Sequence, residues 1–311
     1  MKILITGSNG LLGQKLVYKL RNTSGVTCIA TAKGPNRLVK TGGYEYASLD
    51  ITDRKNVEQV FAAFLPDVVI NTAAMTNVDA CETDREGCWR LNVTAVEHQL
   101  EALRGLRSKN AQYDPLFLHL STDFIFDGSH GPLDENEKPN PLSYYAESKL
   151  ASENLVRASA IRWAIARTVL VYGIVDNMSR SNIVLWVKSN LEQGKTINVV
   201  DDQFRTPTLA EDLADGCVLI AKKGATGVYN ISGKDFYSIL ELAHVVADYY
   251  KLDKSLIRPS KSTDIKQPAK RPPVTGFIID KARRELGYEP HSFVEGIKIL
   301  ETQIREIEQG G

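Results

Sequence analysis

Apolar and polar positions along the 311-residue chain fall into two rhythms. In the first half, short continuous apolar runs alternate with stretches at helical spacing. Residues 2–6 read as a buried strand. Residues 11–21 follow as a helix whose Leu12, Leu16 and Leu20 share one face. The same pattern predicts strands at 26–31 and 44–48, a helix at 54–65, a strand at 67–71 and one long helix at 85–106. A strand at 116–121, a helix at 144–158 and a strand at 163–169 complete this half. Near-continuous apolar strands alternating with helices imply a parallel sheet covered on both faces. The expected fold class is therefore α/β, a Rossmann-type doubly wound parallel sheet. After about residue 172 the rhythm changes. Helices are expected at 179–193, 209–222, 238–250 and 293–308, with short strands near 196–199 and 227–231. Residues 255–273, rich in Pro, Lys and Ser, read as a long loop.

Gly7-Ser8-Asn9-Gly10-Leu11-Leu12-Gly13 stands between the first strand and the first helix. Glycine permits the dihedrals of a tight turn and the close approach of a pyrophosphate. The helix N-terminus behind it offers unpaired N–H groups and positive partial charge. In this strand–turn–helix setting the pattern predicts a dinucleotide site, with Gly7, Asn9, Gly10, Leu11, Leu12 and Gly13 around the phosphates. The GxxGxxG spacing resembles the short-chain dehydrogenase/reductase superfamily more than the two-domain dehydrogenases. NAD sites usually place an acid after the second strand for the ribose. Residues 31–37 hold none; Lys33 and Arg37 there suit a 2′-phosphate. The expected cofactor is NADPH, with NADH as the alternative. Asp50 and Ile51 follow the third strand, where the adenine would sit. Asn71-Thr72-Ala73-Ala74 ends the fourth strand with small residues, and Ala73 and Ala74 would let the dinucleotide lie along the sheet edge. Residues 1–172 are thus expected to form an NAD(P)-binding Rossmann domain. Residues 173–311 would form a smaller mixed α/β substrate region, across a soft boundary that elements can cross.

Tyr145 and Lys149 form a YxxxK pair, one helical turn apart on the same face. A free tyrosine titrates near ~10, too high for efficient proton transfer at neutral pH. A nearby ammonium favours the phenolate, and the same lysine can hold the nicotinamide ribose. Thr122, at the end of the preceding strand, can hydrogen-bond a substrate carbonyl. Ser121 is the adjacent alternative, since strand alternation lets only one of them face the cofactor. Asp123 either contacts substrate or caps the loop.

Several segments together resemble the dTDP-4-dehydrorhamnose reductases, extended members of the same superfamily, in order over nearly the whole chain. They are Leu120-Ser121-Thr122-Asp123-Phe124-Ile125-Phe126-Asp127-Gly128, residues 141–149, Arg167-Thr168, residues 71–82, residues 201–212 and Arg271-Pro272. The resemblance implies NADPH-dependent reduction of the 4-keto group of a dTDP-linked deoxysugar, dTDP-4-dehydrorhamnose to dTDP-L-rhamnose. It implies Thr122, Tyr145 and Lys149 as the catalytic set, with Tyr145 as proton donor and Thr122 polarising the carbonyl oxygen. The sugar nucleotide is expected at Thr76, Val78, Asp123, Phe124, Gln203, Arg205 and Arg271, the arginines suiting a diphosphate through their planar forks. Two residues depart from the family pattern: Phe124 stands where a Tyr is common, and Leu170 where a Trp is common. Such changes alter sugar selectivity before hydride chemistry. The alternatives are another sugar-nucleotide reductase or epimerase, and a non-catalytic partner resembling the regulatory subunit of methionine adenosyltransferase. The intact Tyr145/Lys149 pair and the full glycine turn argue against the latter.

Composition narrows the picture further. Lys and Arg number 38 against 38 Asp and Glu, so a general nucleic-acid binder is not expected. Residues 251–284 nevertheless hold ten basic residues against Asp253, Asp264 and Asp280, a local excess that could attract a diphosphate. No apolar run is long enough to span a membrane, and the first residues lack the pattern of a secretory signal. A cytoplasmic location without membrane or nucleic-acid partners is expected. Cys28, Cys81, Cys88 and Cys217 show no metal-type spacing and read as reduced thiols. No metal ligands are assigned, and nothing in the sequence resolves ligands for a divalent ion. The helices at 85–106 and 144–158 could pair across a homodimer.

Overall fold

The structure, a computed structural model, describes residues 1–176 and 181–309. The first strands and helices are β1 (Lys2–Thr6), α1 (Leu11–Leu20), β2 (Thr27–Ala32), β3 (Glu45–Ser48), α2 (Arg54–Phe64), β4 (Val68–Asn71), β5 (Leu116–Thr122) and β6 (Arg162–Thr168). The six strands lie in the order β3-β2-β1-β4-β5-β6, and Gly227–Asn230 adds a seventh outside β6. Every pairing in this sheet is parallel. The strand order reverses between β1 and β4, and ligands of such sheets bind outside the carboxyl ends at that switch point. The seventh strand comes from beyond residue 172, so the chain returns to its first sheet after entering the second region.

Alternation along β1 sorts the core into two layers. Ile3 and Ile5 pack with Leu16 and Leu20 of α1 and with Leu213 and Cys217. Leu4 faces the opposite layer, with Val57 and Phe61 of α2 and with Leu100 and Leu103. A third apolar cluster lies among the C-terminal helices, where Val184, Val187, Leu242, Val246, Ile297 and Leu300 meet. No helix among the described residues is long and apolar enough to cross a membrane.

Three expectations change. The single helix at 85–106 is broken into Arg85–Trp89, a π-helical turn Arg90–Thr94 and Ala95–Lys109. Helical periodicity cannot register one wide turn, because the apolar stripe continues through it. The loop expected at 255–273 contains a strand, Ile257–Ser260, paired in parallel with Ile197–Val200. Exposed Arg258 and Pro259 hid its alternation. Two short helices, Val78–Thr83 and Asp280–Leu286, were not anticipated. The helix expected at 179–193 runs over Ile183–Glu192, capped by the Asn182 side chain; residues 179 and 180 lie outside the described residues.

The charged pair Arg167–Glu153 sits entirely inside, with Arg157 reaching the same carboxylate at 3.2 Å. Arg167 on β6 is 1% exposed and Glu153 on the helix Tyr144–Ala158 is 0% exposed. The guanidinium donates to both carboxylate oxygens, at 3.0 and 2.8 Å, and to the Glu135 carbonyl at 3.2 Å. It also stacks 5.2 Å above the Phe126 ring. Removing Glu153 strands the Arg167 charge, and removing Arg167 leaves buried Glu153 with only the partly exposed Arg157, whereas removing both strands no buried charge. Glu153→Leu or Arg167→Met alone is expected to lower stability by about 3–5 kcal/mol, and the double variant to recover most of that loss, as read by urea unfolding.

Candidate active site

The glycine turn is shaped by close backbone approach. Gly7 has φ +73°, and a Cβ there would lie 2.9 Å from the Ala73 backbone. A Cβ at Gly13 would fall 2.2 Å from the Gly7 carbonyl oxygen, which makes glycine obligatory where helix and turn touch. Gly10 differs. Its backbone is extended, at φ −86°, and an added Cβ would meet only the Gly7 carbonyl, at 3.3 Å. The turn is therefore open at Gly10, on its cleft side. Gly7, Asn9, Gly10, Ala32, Lys33, Leu49, Asp50, Ile51, Thr72, Ala73, Ala74 and Leu91 line a cleft of about 270 Å³. The expected residues Gly7, Asn9, Gly10, Lys33, Asp50, Ile51, Ala73 and Ala74 thus converge on one surface. Leu11 and Leu12 begin α1 and are half-buried beside it.

Asn9 ties the turn to the chain after β2. Its amide donates to the Pro35 carbonyl at 3.0 Å, and its oxygen accepts the Arg37 N–H at 3.0 Å. Lys33 is 80% exposed and pairs with Asp50 at 2.7 Å. Burial pushes the Asp50 carboxyl up, but hydrogen bonds from Lys33 and Thr52 outweigh it and leave it below its usual range. The Lys33 ammonium is therefore held at the cleft rim. The residues present fit a dinucleotide: a cradle open at Gly10, small residues at Ala73 and Ala74, and a cation at the rim.

Beyond the switch point, β5 ends in Thr122, and the helix Tyr144–Ala158 starts behind a Ser143 cap. Glu82, from the unanticipated helix Val78–Thr83, accepts the Tyr144 N–H at 2.7 Å. These supports fix the first turn that carries Tyr145. Tyr145, Thr122 and Lys149 are 8%, 8% and 3% exposed. The phenol of Tyr145 is within hydrogen-bond reach of Thr122. Burial raises the phenol well above its ordinary value, the Thr122 bond pulls it down, and the nearby Asp123 pushes it up again. Lysine was expected to draw the phenol toward phenolate; burial is instead the largest influence on it, and the phenol keeps its proton at neutral pH. Burial lowers Lys149 to about 8, opposed by Glu153 and Cys88.

The sequence reading missed Asn92, which lies in the π-helical turn. Its oxygen accepts the Met75 N–H at 2.8 Å, and its amide donates to the Met75 carbonyl at 3.1 Å and to Ser148 Oγ at 2.9 Å. A poor helix former amid β-branched Val93 and Thr94 was the available signal.

The residues expected at a sugar nucleotide divide. Phe124 packs edge-on to Tyr145, ring centroids 6.1 Å apart, and Val78 joins the same cluster. Thr76 is exposed just before the helix Val78–Thr83. Gln203 is buried, its backbone carbonyl accepting the Ile239 N–H at 2.9 Å. Asp123 and Arg205 are buried and bonded to protein groups. Thr275 donates to Asp123 at 2.5 Å and Thr122 donates to it at 3.1 Å. Arg205 lies 3.7 Å from the same carboxylate and donates to the carbonyls of Phe204, Pro272 and Pro273. Its guanidinium, expected on a diphosphate, is a clamp between β5 and the chain around residue 273. Arg271 pairs with Asp79 at 2.7 Å, at the site's edge. The basic excess of 251–284 is partly answered by carboxylates: Lys254 by Asp248, Lys261 by Asp201, Arg271 by Asp79, Arg283 by Glu289 and Arg284 by Glu285. Leu170 adopts φ +36° and is half-buried against two apolar clusters. Among the described residues no group of three His, Cys, Asp or Glu side chains is placed to hold a metal ion.

Residues 1–305 match the family described as the RmlD substrate binding domain. The probable low-salt glycan biosynthesis reductase Agl14 of Haloferax volcanii is 29% identical, over 97% of this chain and 98% of its own. A dTDP-4-dehydrorhamnose reductase of Aggregatibacter actinomycetemcomitans is 30% identical, over 96% and 97%. The methionine adenosyltransferase 2 subunit beta of Bos taurus is 28% identical, over 83% and 75%. Among solved structures, a dTDP-4-dehydrorhamnose reductase from Clostridium acetobutylicum aligns with a TM-score of 0.84 at 27% identity, covering 98% of this chain and 100% of that one. A dTDP-4-dehydrorhamnose reductase from Bacillus anthracis, in complex with NADP, aligns at 0.79 and 25% identity, covering 97% and 99%.

The two ends of the glycine turn separate binding from folding. Gly10→Ala is expected to change stability by less than about 1 kcal/mol while weakening NADPH binding at least roughly tenfold, because its methyl fills the open cradle. Gly13→Ala is expected to cost about 1–3 kcal/mol through the clash with Gly7. Titration calorimetry and urea unfolding read the two effects.

Proposed function

The chain belongs to the dTDP-4-dehydrorhamnose reductase family, and we propose that it reduces the 4-keto group of a dTDP-linked deoxysugar with NADPH, converting dTDP-4-dehydrorhamnose to dTDP-L-rhamnose. The observation that carries this reading is the convergence of a protonated phenol, a hydroxyl and a buried amine beside a cleft shaped for a dinucleotide. Bound NADPH supplies a hydride to the ketone carbon. Tyr145 holds the proton that the resulting alkoxide takes, and its burial keeps that proton in place at neutral pH. Thr122 presents a hydroxyl beside the same phenol, and its O–H, turning from Asp123, donates to the developing oxyanion. Lys149, one turn further along the helix, orients the nicotinamide ribose while it carries its proton. Asn92 and Ser143 hold the helix start against the strand ends, so the donor geometry is set before substrate arrives.

Phe124 favours a second reading, in which a different 4-keto sugar nucleotide is the substrate. Its ring lies against Tyr145, with the Arg205 guanidinium 5.7 Å from its centroid. A phenyl offers the sugar a surface and no hydrogen bond, which changes selection among sugars and leaves proton donation untouched.

Tyr145→Phe is expected to lower turnover about 10²–10⁴-fold while NADPH affinity stays within a few-fold. Unchanged turnover would remove Tyr145 as the donor. An NADPH-oxidation assay with dTDP-4-dehydrorhamnose beside other 4-keto sugar nucleotides decides the substrate. No oxidation with any of them, together with stable binding to another protein, would favour a regulatory role like that of the methionine adenosyltransferase relatives.

A further inference from the structure

The proposed reaction leaves unused a buried imidazole in contact with Lys149. His119 lies on β5, three residues before Thr122, and is 1% exposed. Its Nδ1 is 3.1 Å from the Asn71 amide nitrogen. Its Nε2 is 2.9 Å from Ser152 Oγ and 3.3 Å from Lys149 Nζ.

The partners dictate the tautomer. Asn71 Oδ1 accepts from the Thr6 hydroxyl at 2.6 Å and from Gln99 Nε2 at 3.3 Å. The amide nitrogen of Asn71 therefore faces the ring and donates to Nδ1. On the other side, the Ser152 hydroxyl donates to the Lys149 carbonyl at 2.8 Å. Its oxygen is left to accept from Nε2. Both sides require a bare Nδ1 and a protonated Nε2. The ring nitrogen nearest Lys149 thus has no lone pair for an ammonium.

We propose that His119 is a positioning residue for Lys149: locked as the Nε2–H tautomer by Asn71 and Ser152, it denies the lysine an inward acceptor and leaves the ammonium N–H groups for the nucleotide cleft. This rests on the role given to Lys149 in the proposed reaction. The electrostatics agree with the geometry. Burial, and then Lys149, hold the imidazole neutral and far below its ordinary range. The charged and titratable groups around the amine are His119 on β5, Tyr145 and Glu153 on its own helix, Cys88 on Arg85–Trp89, and Arg167 on β6 behind Glu153. Asp123 and Cys81 act through Tyr145. Lys149 is a base whose folded-state value is lowered, so its charge is present below about 8 and lost above it. An inward acceptor would move that loss to higher pH.

Two measurements test this without turnover. Nitrogen-15 correlation spectra of the ligand-free wild-type protein are expected to show His119 as the Nε2–H tautomer, unchanged between about pH 5.5 and 9. An Nδ1–H tautomer, or a ring that titrates in that range, overturns the proposal. The second measurement is NADPH affinity against pH. Asn71→Asp gives Nδ1 an acceptor and reverses the tautomer; His119→Gln puts a carbonyl near the amine. Each is expected to carry the alkaline fall in NADPH affinity upward, so that binding near pH 9 is roughly three- to tenfold tighter relative to neutral pH than in wild type. Identical pH profiles in all three proteins would show that His119 is a packing residue only. Failure of every sugar nucleotide to be reduced would count against the proposed reaction and leave both readouts intact.

Discussion

A row of buried polar side chains across the sheet sets the register on which the site depends. Thr6 pairs with Thr31 of β2 and with Asn71 of β4, and Asn71 pairs with His119 of β5. All four are at most 1% exposed. Thr31 donates to the Ile5 carbonyl, Thr6 to Asn71, and Asn71 to His119. A buried polar group without a partner is costly, so a slipped strand would orphan several at once. In a parallel sheet the apolar strand interiors tolerate many pairings; the polar row admits one. It aligns the carboxyl ends, and with them the glycine turn after β1, the small residues after β4 and Thr122 at the end of β5.

The aligned ends place ionisable groups where burial acts on them in opposite senses. Burial raises the Tyr145 phenol and lowers the Lys149 amine, so a neutral acid and a readily discharged base stand one helical turn apart. Chemistry needing a stored proton beside an adjustable cation is served by this environment more than by the pair's own attraction. A second buried cluster ties the C-terminal region into it. Asp123 is raised by burial and held down by Arg205, Thr275 and Thr122; through it, the chain around residue 273 is bonded to the end of β5. The C-terminal region is thereby braced on the end of β5.

The fold was legible where a local pattern and a tertiary need coincide. The alternating strands and helices of the first half are seen within a residue or two, because their apolar positions serve the two faces of one sheet. The break at Arg90–Thr94 was not legible, since a π-turn widens the helix without interrupting its apolar stripe. Ile257–Ser260 was hidden by Arg258 and Pro259, which an edge strand accommodates and a central one would not. At the site, the glycine turn and the Tyr145/Lys149 pair announced themselves by spacing. Asn92, His119 and Thr275 did not, as each works through partners far along the chain.

By itself the sequence singled out the glycines that a close turn demands, the phenol and amine one turn apart, and the hydroxyl at a strand end. These follow from local geometry, which spacing encodes. Only the tertiary structure decided what those residues face. It turned Asp123 and Arg205 inward as a clamp, paired Arg271 with Asp79, made burial the dominant influence on Tyr145, and set a tautomer-locked imidazole behind Lys149. Charge state and hydrogen-bond direction depend on desolvation and on partners brought together across the sheet, and no local pattern records either.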